Sequence, residues 1–234
     1  MRQFSESGFL NVFKPVGMTS HDAVAYVRRA LGRPKTGHAG TLDPAACGVL
    51  VLLINGATKL SSLAMACEKT YRAEMTFGLR TDTGDAQGEV VEERPGAVAI
   101  EQLQNALPRF MGKIEQVPPM TSAIKIDGKK LYELARKGKE IERPPRAVTV
   151  HSIEIIDFEP APDFPRAVIE VKCSSGLYIR ALVEDIAASL GSVAHTSFLI
   201  RSAVGPFAIE DSVVPGAVTM ESAEARLRPM DLLK

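Results

Sequence analysis

Hydrophobic residues recur along this chain with two different periods, and each period predicts a type of secondary structure. Short runs that alternate between apolar and polar residues, or that are apolar throughout, predict strands. The predicted strands are 8–13, 48–54, 69–78, the proline-punctuated segment 112–126, 148–158, 167–173 and one or two strands within 195–207. Residues 48–54, GVLVLLI, form the longest apolar run and indicate a buried strand.

Apolar residues at helical spacing predict the remaining regular elements. Ser20 is a candidate N-cap for a helix over residues 21–31, and Gly32 is its stop signal. The other predicted helices are 100–110, a short basic helix over 129–137, and 178–190.

The order of these elements predicts the fold class. Strands and helices are mixed, with neither regular βαβ repeats nor hairpins throughout, so we expect an α+β fold with helices against a mostly antiparallel sheet. We expect one domain over residues 1–207. The tail over residues 208–234 is shorter than a second domain usually needs.

Composition narrows the class of protein. The chain has 234 residues, of which 45% are hydrophobic, enough to bury a core. The number of cysteines is three and no C-x-x-C pair occurs, so we expect neither a disulfide framework nor a cysteine zinc site. A protein of the reducing cytoplasm fits this cysteine usage best. No segment is apolar over a length that spans a membrane, and the first residues lack a signal-peptide pattern.

The charge distribution leaves nucleic-acid binding open. The formal net charge is zero, which counts against a nucleic-acid partner. Residues 125–146, however, carry eight Lys or Arg against four Asp or Glu. This stretch could form a basic face or be an ordinary solvated segment.

Several common motifs are absent from the sequence. It contains no G-x-G-x-x-G, no P-loop, no H-E-x-x-H and no G-x-S-x-G, and its four histidines lack metal-ligand spacing. Asp82, Asp85 and Glu89 do not follow the spacing of a calcium loop. We therefore expect neither a metal nor a cofactor.

The segment GHAGTLDPAACGVL, residues 37–50, holds the strongest candidate for chemistry. Its glycines permit sharp turns and the close approach of a ligand, and Pro44 keeps Asp43 out of helical geometry. A carboxylate is thus held on a stiff loop before a buried strand, where catalytic groups often lie. Taken alone, Asp43-Pro44 could equally be a turn whose carboxylate accepts local backbone N–H groups.

This segment resembles the catalytic motif of TruB-type pseudouridine synthases. Further blocks resemble the family in the same order: NVFKPVGMTSHDAV, KTYRAEMTFGLRTDTGDAQG, PPMTSAIKIDGKKLYELARKG, CSSGLYIRALVEDIA and HTSFLIRSAVGPF. The resemblance implies the pseudouridine synthase fold, with a basic thumb-like insertion over about residues 118–146. It also implies a catalytic domain without the small C-terminal RNA-binding PUA domain that many bacterial relatives carry.

The implied activity is the isomerisation of uridine to pseudouridine in the T-loop of tRNA, at position 55 of the tRNA. The reaction needs no cofactor, and the target base must be flipped out of its stack. Asp43 matches the essential aspartate of the family. It could attack C1′ of the sugar, as carboxylates do in retaining glycosidases, or remove a sugar proton to give a glycal. The sequence leaves both routes open.

The resemblance also assigns the other site residues. Arg180 matches the arginine that pairs with the aspartate, and an adjacent guanidinium favours an ionised, oriented carboxylate. Tyr71 matches the tyrosine that stacks on the target uracil and is the candidate for taking the C5 proton. Tyr178 and Leu199 match residues that wall the base pocket.

Contacts with the RNA outside the base pocket follow from the same resemblance. His38 matches a histidine placed where the flipped base leaves the stack. Lys14 is expected to contact phosphates, together with a cluster of basic residues in the insertion. The cluster consists of Lys125, Lys129, Lys130, Arg136 and Lys137. The implied partner is the T-arm of tRNA, with no membrane and no protein partner, and we expect a monomer.

The chain departs from the family pattern at three neighbours of these residues. Cys47 and Leu177 stand where threonine is common, and Ile200 stands where a second arginine is frequent. Two other functions remain as alternatives. A non-catalytic tRNA-binding or folding module would bind without reaction, and a nucleoside glycosidase would release free uracil.

Overall fold

The computed structural model describes residues 3–120, 122, 125–126, 129–130 and 141–233. The chain divides into two compact units. Unit 1 consists of Met1–Tyr71 and Leu199–Lys234, and unit 2 consists of Arg72–Phe198.

The secondary structure confirms the predicted α+β class with a mostly antiparallel sheet. The strands are β1 (Gly8–Lys14), β2 (Thr36–His38), β3 (Cys47–Ile54), β4 (Lys69–Phe77), β5 (Leu79–Thr81), β6 (Val90–Glu93), β7 (Gly112–Gln116), β8 (Lys125–Ile126), β9 (Lys129–Lys130), β10 (Arg146–Glu159), β11 (Arg166–Cys173), β12 (Ala194–Val204) and β13 (Phe207–Ala208). The α-helices of the described residues are α1 (Ser20–Ala30), α2 (Ser61–Ala66), α3 (Ile100–Ala106), α4 (Ile179–Ser189) and α5 (Met220–Arg226).

Unit 1 is organised around β3. β1 pairs antiparallel with β3 along one edge, from Gly8 opposite Ile54 to Lys14 opposite Gly48. The other edge is shared, because β2 pairs antiparallel with the C-terminal end of β3 and β12 pairs parallel with its start. β13 extends β12 as an antiparallel neighbour.

Every residue of β3 is buried, as its continuous apolar run predicts. One set of alternate residues, Leu50, Leu52 and Ile54, packs in a core cluster with Val27 of α1. The other set, at positions 49, 51 and 53, packs in a second cluster with Phe207. Residues of the predicted tail join both clusters, including Val213, Val218, Ala223, Ile209 and Met230.

Unit 2 is built on antiparallel strands in the order β4, β11, β10 and β7. Alternate residues of β11, from Ala167 to Cys173, are buried, which is the pattern of a sheet with one face against a core. Residues Ile179, Leu182, Val183 and Ile186 of α4 are buried at helical spacing. β5 and β6 form a separate hairpin.

Two local predictions are wrong. Ser20 is the first residue of α1 rather than its N-cap; the cap is Thr19, whose hydroxyl accepts from the Asp22 N–H in a capping box. Lys129 and Lys130 form β9, which pairs with β8, instead of beginning a helix. The rest of that predicted helix, residues 131–137, lies outside the described residues, as do the side chains of the predicted basic cluster.

Candidate active site

The predicted site residues fall into both units. Unit 1 holds most of them: Lys14, His38, Asp43, Tyr71 and Leu199. Unit 2 holds Tyr178 and Arg180. The pairing of Arg180 with Asp43 stays a prediction of the resemblance.

The loop between β2 and β3, residues 39–46, presents a half-buried Asp43. Its backbone is fixed on both sides of that residue. Ser20 of α1 and Leu42 exchange two hydrogen bonds, and the Pro44 carbonyl accepts from the Gly17 N–H at 2.8 Å. The Ala46 N–H donates to the Asp43 carbonyl at 3.1 Å, which closes a turn after the carboxylate. The carboxylate is therefore carried by a backbone that its surroundings hold in place.

Arg201 of β12 also binds this loop. Its side chain is 1% exposed, and its guanidinium donates to the carbonyls of Val49 at 2.8 Å, Thr41 at 3.3 Å and Gly40 at 3.2 Å. These three acceptors come from the start of β3 and from the loop residues just before Asp43. Arg201 thus ties the loop to the strand that follows it.

Lys14 is fully buried at the end of β1. Its ammonium donates to the carbonyls of Pro15 at 2.9 Å and Met18 at 2.7 Å. Burial lowers the Lys14 pKa from 10.5 to about 8, although the sulfur of Cys47 and the carboxylate of Asp43 favour the charged form. A phosphate contact requires an exposed ammonium, so the enclosed position of Lys14 differs from the expectation that it contacts RNA.

His38, at the end of β2, contacts another histidine. Its ring meets the ring of His21 of α1 edge to face, with the centroids 5.8 Å apart. Burial lowers the His38 pKa below its usual value, and the charge of His21 lowers it further. Both effects favour the neutral form of the ring.

Tyr71 and Leu199 are half-buried residues of β4 and β12. Between the same two strands, the Ser202 hydroxyl of β12 donates to the Thr70 carbonyl of β4 at 3.3 Å. Each side chain keeps part of its surface available to a ligand, as residues of a binding wall require.

Arg180 lies in the first turn of α4 and is 5% exposed. Its guanidinium donates to the Thr83 carbonyl at 2.6 Å and lies 3.7 Å from the Asp85 carboxylate. Asp85 is itself held, because one of its oxygens accepts from the Thr83 hydroxyl at 2.8 Å and from the Gln87 N–H at 3.0 Å. The turn-rich loop TDTGDAQGE therefore helps to hold Arg180 in place.

Tyr178 occupies the N-cap position of α4. The Gln116 side chain brackets its backbone, accepting from the Tyr178 N–H at 2.8 Å and donating to its carbonyl at 3.1 Å. This pair of bonds fixes the residue from which the aromatic ring projects.

Sequence reasoning missed Arg201, Asp85 and the bond from Ser20 to the Asp43 loop. All three lie inside the quoted family blocks, but a single sequence carries no signal that Arg201 is buried. Among the described residues, no group of three or more His, Cys, Asp or Glu side chains is placed to hold a metal ion. No described helix has the length and apolarity needed to cross a membrane.

Comparison with known proteins identifies the family. A family model described as TruB family pseudouridylate synthase (N terminal domain) matches residues 28–179. The tRNA pseudouridine synthase B of Symbiobacterium thermophilum is 50% identical over 226 residues, which are 95% of this chain and 74% of that protein. The protein of the same name from Caldanaerobacter subterraneus is 48% identical over 228 residues, covering 97% of this chain and 78% of that one.

Solved structures extend the similarity to the fold. A chain of a Cbf5-Nop10-Gar1 complex matches with a TM-score of 0.73 and 28% identity, covering 99% of this chain and 61% of that one. A chain of an H/ACA RNP bound to a substrate RNA containing 2′-deoxyuridine matches with a TM-score of 0.68 and 26% identity, covering 95% of this chain and 56% of that one. The chain belongs to the TruB family of pseudouridylate synthases, enzymes that isomerise uridine to pseudouridine.

Proposed function

We propose that this protein isomerises the uridine at position 55 in the T-loop of tRNA, with Asp43 as the catalytic carboxylate. The observation that carries the proposal is the loop over residues 39–46, which presents a half-buried carboxylate on a backbone held by Ser20, Gly17 and Arg201. Relatives at 48–50% identity are named tRNA pseudouridine synthase B, which supports tRNA as the substrate.

The reaction is an isomerisation, so every bond change is balanced within the substrate. The N1–C1′ bond breaks, the base turns, and a C5–C1′ bond forms; C5 loses a proton and N1 gains one. Asp43 supplies either a nucleophile toward C1′ or a base toward the sugar. A fixed carboxylate suits either route, because a small displacement of a catalytic group lowers the reaction rate by a large factor.

The remaining site residues have distinct roles in this proposal. Tyr71 stacks on the uracil and takes the C5 proton, directly or through water. Tyr178 and Leu199 wall the base, and His38 stacks where the base has left the loop. Arg180 favours the ionised carboxylate, as the resemblance implies. Lys14 is not assigned to the RNA, because its ammonium is enclosed by carbonyls of its own loop.

We also propose the RNA partner, the oligomeric state and the cellular location of the protein. The T-arm of tRNA is the bound element, and the basic insertion over about residues 118–146 contacts its phosphates. The protein acts as a monomer in the cytoplasm. Binding that weakens steeply as salt rises would support the phosphate contacts.

Tritium release from tRNA labelled at C5 of uridine tests the function. The parent protein is expected to release tritium, and Asp43→Asn is expected to release none while still binding tRNA. Asp211→Asn is the matched control, since Asp211 is an exposed carboxylate of the same unit. A transcript with cytidine at position 55 is expected to give no release, which tests the assignment to that position.

Other outcomes identify the alternative functions. A folded parent that binds tRNA but releases no tritium would contradict catalysis and support the non-catalytic binding module. Free uracil in the supernatant would support a nucleoside glycosidase. Tritium release from the cytidine-55 transcript would contradict the assignment to position 55.

A further inference from the structure

We infer that Arg201 is a positioning residue for Asp43, acting through the backbone of Gly40 and Thr41. This inference rests on the proposed function of Asp43. Arg201 is the largest fully buried residue among those that the structure describes. Its guanidinium donates to the carbonyls of Gly40 and Thr41, which come shortly before Asp43.

The place of Arg201 in the fold is fixed by a close approach of two strands. Arg201 lies opposite Gly48 in the parallel pairing of β12 with β3. Gly48 has φ of 109°, and a Cβ added there would come 2.3 Å from the Arg201 carbonyl oxygen. Only glycine permits this contact, so the backbone of Arg201 is seated directly on the start of β3.

The partners of the guanidinium make its role specific. Burying a charged group is unfavourable unless it is hydrogen-bonded, and Arg201 meets this requirement with three backbone carbonyls. A guanidinium offers donors in a fixed planar fork, so one side chain can bind Val49 and the loop at once. Hydrogen bonds from a charged donor are also roughly twice as strong as neutral ones.

Other hydrogen bonds hold the loop at two points that flank the Arg201 contacts on this side of Asp43. Ala39 donates to the Val51 carbonyl at 2.9 Å, and Leu42 is held by Ser20. Gly40 lies between these two points with φ of 90°, and glycine without a Cβ restricts the backbone less than any other residue. Arg201 donates two hydrogen bonds to the carbonyls of this stretch, so we expect its loss to allow Asp43 to move.

Steady-state kinetics of Arg201→Met and Arg201→Lys test the inference. We expect kcat for pseudouridine formation to fall about 100-fold in Arg201→Met, the effect of a 1 Å misplacement, with KM for tRNA changed less than threefold. Arg201→Lys is expected to lose at least tenfold, because an ammonium cannot reproduce the fork. Arg28→Lys is the matched control, since Arg28 donates to one carbonyl, Pro34, from an exposed position.

Hydrogen exchange gives a readout that does not depend on activity. The amides of residues 39–46 are expected to exchange faster in Arg201→Met, while those of β10 and β11 keep their protection. If Arg201→Met does not fold, Arg201→Lys carries the test by the same two measurements.

The outcomes separate this inference from the proposed function. A folded Arg201→Lys with parental kcat and unchanged exchange over residues 39–46 would overturn the positioning role and leave Asp43 untouched. A parent that forms no pseudouridine would overturn the function, whereas faster loop exchange in the variants would still support the attachment of the loop by Arg201.

Discussion

Ser20 and Leu42 exchange two hydrogen bonds across 22 residues of sequence. The Ser20 hydroxyl donates to the Leu42 carbonyl at 3.0 Å and accepts from the Leu42 N–H at 2.9 Å. A single buried hydroxyl therefore satisfies both backbone groups of the residue before Asp43. The first turn of α1 and the candidate catalytic loop are joined at this point.

Ser20→Ala should lower both stability and activity. It leaves a buried N–H and a buried carbonyl of Leu42 without their partner, which costs about 1–3 kcal/mol of unfolding free energy. Because the loop carries Asp43, kcat should fall as well, with KM for tRNA nearly unchanged. Chemical denaturation and tritium release measure the two effects.

Thr19→Ala is the control for Ser20→Ala. It removes the N-cap of the same helix, at a cost of about 1 kcal/mol, but Thr19 bonds Asp22 rather than the loop. Equal losses of kcat in the two variants would contradict a specific role for the bond from Ser20 to Leu42.

Lys14 should make stability depend on pH in the alkaline range. Its pKa is lowered to about 8 in the folded protein from 10.5, so below pH 8 both states are protonated and the fold bears the full cost of the buried charge. Between pH 8 and 10.5 the unfolded state binds the extra proton, and the unfolding free energy should rise with pH. The scale of this gain is on the order of 3 kcal/mol.

The comparison with Lys14→Met isolates that effect. The variant has no ammonium to titrate, so the difference in unfolding free energy between parent and variant should change with pH only across this window. Denaturant melts at pH 7, 8.5 and 10 measure it. A constant difference at all three values would contradict the lowered Lys14 pKa.

His38 should titrate below its usual range. Burial is the main cause of its lowered pKa and the charge of His21 is the second, so His21→Asn should raise the His38 pKa toward its usual value. Since the unfolded state takes up this proton first on acidification, His38 lowers stability as pH falls through about 6.5. NMR titration of the ring protons measures both pKa values, and an unchanged His38 pKa in the variant would show that His21 exerts no electrostatic effect.

Gly84→Ala should disturb the loop that helps to hold Arg180. Gly84 has φ of 72°, and an added Cβ would lie 3.2 Å from a Glu184 carboxylate oxygen and 3.4 Å from the Arg180 Cβ. The left-handed backbone alone costs a non-glycine residue about 1–2 kcal/mol. Thermal melts should show this loss, and kcat should fall because Arg180 donates to the neighbouring Thr83 carbonyl.

Gly216→Ala is the matched substitution. A Cβ at Gly216 meets no atom within 4 Å, and its φ is not positive. Its stability should match or slightly exceed that of the parent, because alanine restricts the unfolded chain. A loss as large as that of Gly84→Ala would mean that the left-handed backbone and the crowding at Gly84 are not the cause.

Local patterns were sufficient for most of the regular structure. The apolar run of β3 indicates a strand that is buried on both faces. The alternation in β11 and the helical spacing of α1 and α4 indicate which side of each element is buried. All of this information lies within neighbouring residues. α2 and α5 escaped prediction because each is a single short segment, six and seven residues long, with little periodicity to detect. The N-cap was misplaced by one residue because Thr19 and Ser20 are both good capping residues.

By itself, the sequence determined the α+β class, the family to which the chain belongs and the position of Asp43 on a glycine- and proline-rich loop before a buried strand. Only the tertiary structure decided what holds that loop. Arg201 lies 152 residues from Val49 in the sequence, and its burial results from the parallel pairing of β12 with β3. Lysine is usually a surface residue, yet the ammonium of Lys14 is buried and donates to two carbonyls of its own turn. A charged residue can become internal when backbone carbonyls supply its hydrogen bonds, near in the sequence for Lys14 and distant for Arg201, and no periodicity along the chain records that arrangement.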